Sequence, residues 1–193
     1  TTVYDAAYRP VARVNALGLR WTTIYDIASR PIATMNPLGI RNSMSYDNAN
    51  RVRASVNSLG FRTTYLYDLN DRQTATIDPL LRRATTVYNI AGEVIASVDG
   101  LGRRMTMVYD GAGRSLANIN PLLQRNTTVY DAANKVIANI NPLTFRSTTV
   151  YNAAGQPLAS IDPLGRRGTM VYDAAGRGVA SINPLNFRNT TIY

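Results

Sequence analysis

Three residue types recur in this sequence at a fixed interval, and each is capable of chemistry. Arg stands at Arg20, Arg41, Arg62, Arg83, Arg104, Arg125, Arg146, Arg167 and Arg188, always 21 residues apart. A regular row of guanidinium groups can bind sulfate, carboxylate or phosphate groups along a polymer. The same row can be structural, with each Arg paired to a turn carboxylate or carbonyl and its stem laid over apolar neighbours. The structural role is the one expected here. Tyr stands at Tyr4, Tyr25, Tyr46, Tyr67, Tyr88, Tyr109, Tyr130, Tyr151, Tyr172 and Tyr193, again 21 apart. Such a ladder could stack against sugars. Packing along a sheet is the expected use, because Ala and Ile accompany the Tyr. Asp or Asn follows nearly every Tyr and could hold Ca²⁺ in rows. Each turn supplies only one carboxylate and the Gly-rich nonapeptide of calcium-binding rolls is missing, so turn capping is expected and no metal or cofactor site is assigned.

The remaining composition removes whole classes of mechanism. The 193 residues include no Cys and no His. Thiol nucleophiles, disulfides, Cys-based zinc sites and imidazole-dependent triads are therefore excluded. Every Asp except Asp71 occupies a repeated turn position, and repetition argues for architecture over catalysis. No catalytic residue is assigned, and the chain is not read as an enzyme. The formal charge is +9 and derives from Arg, which permits an acidic partner without naming one. No reader motif or aromatic platform lies among the basic residues, so no specific nucleic acid is expected. No signal peptide is read at the N-terminus. No apolar run approaches about 20 residues, so no membrane span is expected. Asn126-Thr127-Thr128 and Asn189-Thr190-Thr191 match the glycosylation sequon, which is informative only with a known host.

The interval is also the unit of structure. The chain is a single array of nine repeats, 4–24, 25–45, 46–66, 67–87, 88–108, 109–129, 130–150, 151–171 and 172–192. With Tyr as position 1, position 9 is always Ala, position 14 always Leu and position 17 always Arg. Two turn signals punctuate each unit, as in Asp173-Ala174-Ala175-Gly176 and Asp162-Pro163-Leu164-Gly165. Both fit a type I turn, with Asx first and Pro presetting φ at the second position. Between the turns lie short runs of Val, Ile, Thr and Tyr, which read as strands. Pro10, Pro31 and Pro157 fall at a strand start, where a missing N–H is tolerated. The fold class is therefore all-β: tandem hairpins forming a continuous antiparallel sheet of about 18 strands.

An odd period of 21 requires that one residue be absorbed, by unequal turns or by a bulge. Position 5 holds Gly, Asn or Asp in seven repeats, whereas position 15 includes Leu81, Leu123 and Thr144. The expectation is a left-handed residue in the Asp-Ala-Ala-Gly turn and a four-residue loop at the Pro-Leu turn. Tyr would then share a face with Ala at 9 and the aliphatic residue at 11. Arg at 17 and Thr at 19 would lie opposite. Equivalent residues would recur every second strand, roughly 9.6 Å apart. Neither face is wholly polar, so the sheet is expected to curl and cover one face.

These features resemble the Rhs/YD-repeat family. Tyr109-Asp110-Gly111-Ala112-Gly113-Arg114 and Tyr172-Asp173-Ala174-Ala175-Gly176-Arg177 carry the first family segment, and Asp162-Pro163-Leu164-Gly165-Arg166 the second. The resemblance covers the whole chain. It implies a spiralling sheet that forms a hollow shell, tube or solenoid-like wall. It includes bacterial Rhs and toxin-complex proteins that enclose a toxin, wall-associated bacterial proteins and teneurins. This chain departs from the family at Gly92-Glu93, Asn134-Lys135 and Gly155-Gln156, which puts a strict role for the turn Arg in doubt, and it shows no toxin module or self-cleaving motif.

The expected function is structural: the wall of an extracellular or cell-surface shell, tube or filament. Alternatives are a cell-surface module presenting the Arg and Tyr ladders to an anionic glycan, and a shell segment of an Rhs-type toxin-delivery protein. The array begins and ends mid-pattern. The expected partner is thus the chain itself, as further repeats of a longer array or as copies joined end to end.

Overall fold

A computed structural model describes residues 1–192; Tyr193, the last of the expected Tyr ladder, lies outside the described residues. Every element among the described residues is a β-strand, so no helix is long and apolar enough to cross a membrane. The chain opens with β1 (Thr2–Tyr4), followed by β2 (Pro10–Val14) and β3 (Arg20–Tyr25), and the pattern recurs through β4 (Pro31–Met35) to β19 (Arg188–Thr190). Strands alternate between five and six residues away from the ends. Pro10, Pro31 and Pro157 each open a strand, at the position where no ladder donor is lost.

The chain divides into two units, residues 1–104 and 105–193. In unit 1, each strand from β1 to β10 (Val94–Val98) pairs antiparallel with its neighbours in sequence. Unit 2 begins within β11 (Arg104–Tyr109) and continues the same meander to β19. The all-β tandem-hairpin reading therefore holds in both.

The two turns of each repeat are alike, which corrects the expectation of unequal loops. In the first turn Asp5 N–H donates to the Arg9 carbonyl and Tyr8 N–H to the Asp5 carbonyl, both at 3.0 Å. In the second, Asn15 N–H donates to the Leu19 carbonyl at 3.0 Å and Gly18 N–H to the Asn15 carbonyl at 3.1 Å. Each is a type I turn followed by a left-handed residue. Leu81, Leu123 and Thr144 adopt φ of 62°, 62° and 66° at the position that holds Gly in five other repeats. Position 15 is thus left-handed whatever residue stands there, because the Asx residue before it fixes the turn.

The odd residue is absorbed inside the strand. Val3 pairs with Ala12 but Tyr4 pairs with Pro10, leaving Val11 as an extra residue. The same shift occurs in all nine hairpins at position 8, for example at Ile32 and Ile95. It is a β-bulge, and it carries no glycine to announce it.

The bulge changes which residues share a face. Ile24 pairs with Ala33, Thr22 with Met35 and Ala33 with Ser43. Met35 pairs with Arg41. Paired residues share a face and successive ones alternate. Ala at 9 and the aliphatic residue at 11 therefore lie with Arg at 17, Thr at 19 and the mostly aliphatic position 21. Tyr lies on the other face with positions 10, 18 and 20, beside Ser, Asn and Thr. This overturns the expected grouping of Tyr with Ala.

Thr22 also pairs with Ala12 on its other side, and Met35 is two residues beyond Ala33, the equivalent of Ala12. Equivalent residues thus climb two positions per repeat, and their separation is about 12 Å rather than 9.6 Å. The only fully buried hydrophobic residues described are the nine Ala at position 9, at 0–4% exposure, and no large side chain is fully buried. Ala is the side chain that fits beneath the larger residues at 11 and 21 without overpacking.

Candidate functional site: the turn edge and the arginine face

The turn edge is organised by the Asx side chain. Asp5 Oδ1 accepts the backbone N–H of Ala7 and Arg9 at 2.9 and 3.0 Å, and Asn15 Oδ1 accepts those of Leu17 and Leu19, both at 2.9 Å. This leaves Oδ2 of each Asp as a charged acceptor. Arg9, Arg30, Arg51, Arg72, Arg114 and Arg177, at position 6, donate to it from Nε at 2.6–2.8 Å. Arg82, Arg103 and Arg166 do the same in the second turn.

A pairing rule follows that the sequence reading missed. In all eighteen turns Asp is followed four residues later by Arg or Lys, and Asn is not. Where Asn stands, its amide donates to Glu93, Gln124 or Gln156, or the partner position is apolar, as at Phe61 and Phe145. The departures at Gly92-Glu93 and Gly155-Gln156 are thus the Asn form of the same turn. The signal was present as correlated identities at positions 2 and 6 and at 12 and 16.

The position-6 Arg also reaches the next repeat. Arg51 Nη1 donates to the carbonyl of Asp68 at 3.0 Å and to Asp71 Oδ1 at 2.7 Å. Its Cζ lies 4.7 Å from the centroid of the Tyr67 ring. Arg9, Arg30, Arg72, Arg114 and Lys135 cover Tyr25, Tyr46, Tyr88, Tyr130 and Tyr151 in the same way, at 4.6–5.2 Å. Tyr67 completes the link by donating its hydroxyl to the Val52 carbonyl of the preceding repeat at 3.0 Å. Tyr25, Tyr46, Tyr88, Tyr130, Tyr151 and Tyr172 do likewise. Tyr4 ends the first strand at 58% exposure, and Tyr109 contacts the Met107 sulfur. Much of the Tyr ladder is therefore spent on joining repeats.

The coverage has an electrostatic consequence. Arg side chains at position 6 that lie over a Tyr ring are 25–29% exposed, whereas Arg82, Arg103 and Arg166 are 50–64% exposed. The carboxyls of Asp5, Asp26 and Asp47 are held below their ordinary value chiefly by the backbone N–H four residues on, against desolvation and with help from the guanidinium. Asp99, Asp110 and Asp173 are lowered by the same donors. At Asp68, Asp78 and Asp162 desolvation, which raises the pKa, is the largest single influence, but the combined donors outweigh it.

The Arg ladder at position 17 is placed elsewhere. All nine are exposed, at the start of strands on the Ala face. Arg62 and Arg125 donate from Nε to Thr64 and Thr127 at 3.4 and 3.1 Å. The turn carboxylates expected to pair with this ladder are taken by positions 6 and 16. Among the described residues no cluster of three or more acidic side chains is placed to hold a metal.

Residues 151–185 match the family model described as RHS Repeat. That stretch is one whole unit and two thirds of the next, and the other units repeat its Tyr, Ala, Leu and Arg at positions 1, 9, 14 and 17. No curated protein matches the chain. In fold the chain is similar to the Tc holotoxin pore of Photorhabdus luminescens, with a TM-score of 0.53, 13% identity, and coverage of 94% of this chain and 13% of that one. A TcdB2-TccC3 structure aligns with a TM-score of 0.40 and 12% identity, over 93% of this chain and 16% of that one. The chain thus spans 13–16% of the length of the toxin-complex chains it matches.

Proposed function

We propose that this chain, a member of the Rhs-repeat family, is a length of wall in an extracellular or cell-surface assembly, of the shell type found in toxin complexes. The observation that carries this reading is the link between successive repeats. Tyr, Asp and Arg, the side chains best able to do chemistry at the turn edge, are bonded to one another and to the neighbouring repeat's backbone. Their use is architectural, and a wall extends by adding units of the same kind. The partner is further wall: more repeats of the same array. The fold shared with the Tc holotoxin pore favours a shell over a filament of joined copies.

Electron microscopy of the purified chain at high concentration tests this. Discrete particles with a single-layer wall are the expected result. Long filaments would replace the shell with end-to-end assembly. A compact particle with both sheet faces buried inside one chain would contradict the wall itself.

A further inference from the structure

In each unit the net charge resolves onto one face of the sheet. The chain has 21 basic and 12 acidic residues. Setting aside the nine Arg at position 17 leaves twelve basic residues against twelve acidic ones, so this ladder alone equals the net charge of +9. Most of the remaining charges face each other in turn pairs such as Asp47 with Arg51 and Asp162 with Arg166. The ladder shares its face only with Ala, aliphatic residues or Met, Thr or Ser, and no acidic or aromatic residue stands at positions 9, 11, 19 or 21 of any repeat. Unit 1 carries Arg20, Arg41, Arg62, Arg83 and Arg104 on this face, and unit 2 carries Arg125, Arg146, Arg167 and Arg188, all exposed.

We propose that this arginine face binds a linear anionic polysaccharide, one sulfate or carboxylate group to each arginine, with the neighbouring Thr hydroxyls contacting sugar oxygens. The inference is separate from the wall reading. Three features select the ligand. Within each unit a single row, with about 12 Å between successive arginines, fits a linear polymer better than the curved surface of an acidic protein. Guanidinium groups suit the oxygens of sulfate and carboxylate. The absence of aromatic residues on this face denies single-stranded nucleic acid the stacking platform it uses, since Trp21, Tyr65 and the Tyr ladder lie on the other face.

The test uses the full chain and a labelled heparin oligosaccharide, followed by fluorescence anisotropy across a salt series. One variant carries R41Q, R62Q, R146Q and R167Q. A charge-matched control carries R13Q, R53Q, R103Q and R166Q, which removes four arginines outside the ladder. Circular dichroism checks that both fold. The ladder variant should bind at least about tenfold more weakly than the control, and its plot of log affinity against log salt should be shallower by roughly 0.7 to 0.9 per arginine lost. Equal losses in the two variants would overturn the proposal, because diffuse charge would then suffice. On the unaltered chain, no binding at low salt, or tighter binding of a charge-matched oligouridylate, would overturn it independently of any variant.

Discussion

Arg51 lies over the ring of Tyr67, with Cζ 4.7 Å from the ring centroid, while its Nε holds the Asp47 carboxylate at 2.8 Å. One side chain thus closes its own turn and grips the next repeat. The arrangement recurs along both units and turns a series of hairpins, each marginal alone, into a coupled array.

The Tyr hydroxyl is the simplest part of this link to remove. Tyr67→Phe keeps the ring under Arg51 and deletes only the bond to the Val52 carbonyl. The expected cost is about 0.5–1.5 kcal/mol, the net contribution of such a hydrogen bond. Urea unfolding should show a lower midpoint with an unchanged slope. An unchanged midpoint would mean that the hydroxyl contributes nothing to the coupling.

The pairing of Asx type with the residue four positions on makes a sharper prediction. Asp47→Asn should destabilise the chain by removing the carboxylate that Arg51 holds in its own turn, leaving only Asp71 of the next repeat as its acidic partner. Arg51→Gln should do so by leaving the Asp47 charge without its donor. The double variant recreates the Asn152–Gln156 turn, whose amide-to-amide bond is 2.9 Å. It should therefore melt higher than the sum of the single effects allows, a positive coupling in a double-mutant cycle. Strict additivity would show that the correlation has no energetic basis.

Much of the architecture was legible in the sequence. The Tyr interval gave the unit, the Asx, Pro and Gly signals gave both turns, and the β-branched runs gave the strands. Three features were not. The absorbed residue is an ordinary Val, Ile or Leu at position 8 in most repeats, with no special φ to mark it. Leu81 and Thr144 misled in the opposite direction, because a non-glycine residue at positive φ looks forbidden until the turn around it is known to be fixed. The turn Arg was discounted because it varies. It varies together with its Asx partner, so the two positions have to be compared jointly.

The strained residues offer a route to greater stability. Leu123 is held at φ 62° and its side chain is 84% exposed, so little burial is at stake. Leu123→Gly relieves a conformation that costs an L-residue about 1–2 kcal/mol, offset by about 0.4–1 kcal/mol of added freedom in the unfolded chain. The net should be a small rise in thermal midpoint, measured by calorimetry. A fall would show that position 15 is not strained.

Acid should weaken the array. A carboxyl whose pKa is lowered by folding binds fewer protons in the folded chain than in the unfolded one. Its stabilising effect is complete above the ordinary Asp value and is lost as pH falls through the lowered one. Asp5, Asp26, Asp47 and six other turn Asp residues act in this direction. The urea midpoint should be nearly flat from about pH 5 to 8 and drop below about pH 4. A midpoint that rises on acidification would contradict the role given to these turns.

The molecule is an array whose stability comes from coupling between successive repeats. Deleting residues 67–129 removes three whole repeats and joins Leu66 to Tyr130 in phase. The shortened chain should keep its strand signal in circular dichroism and unfold at a lower urea concentration, in keeping with fewer repeat-to-repeat links. A shortened chain that is unfolded in buffer, or one exactly as stable as the full chain, would contradict it.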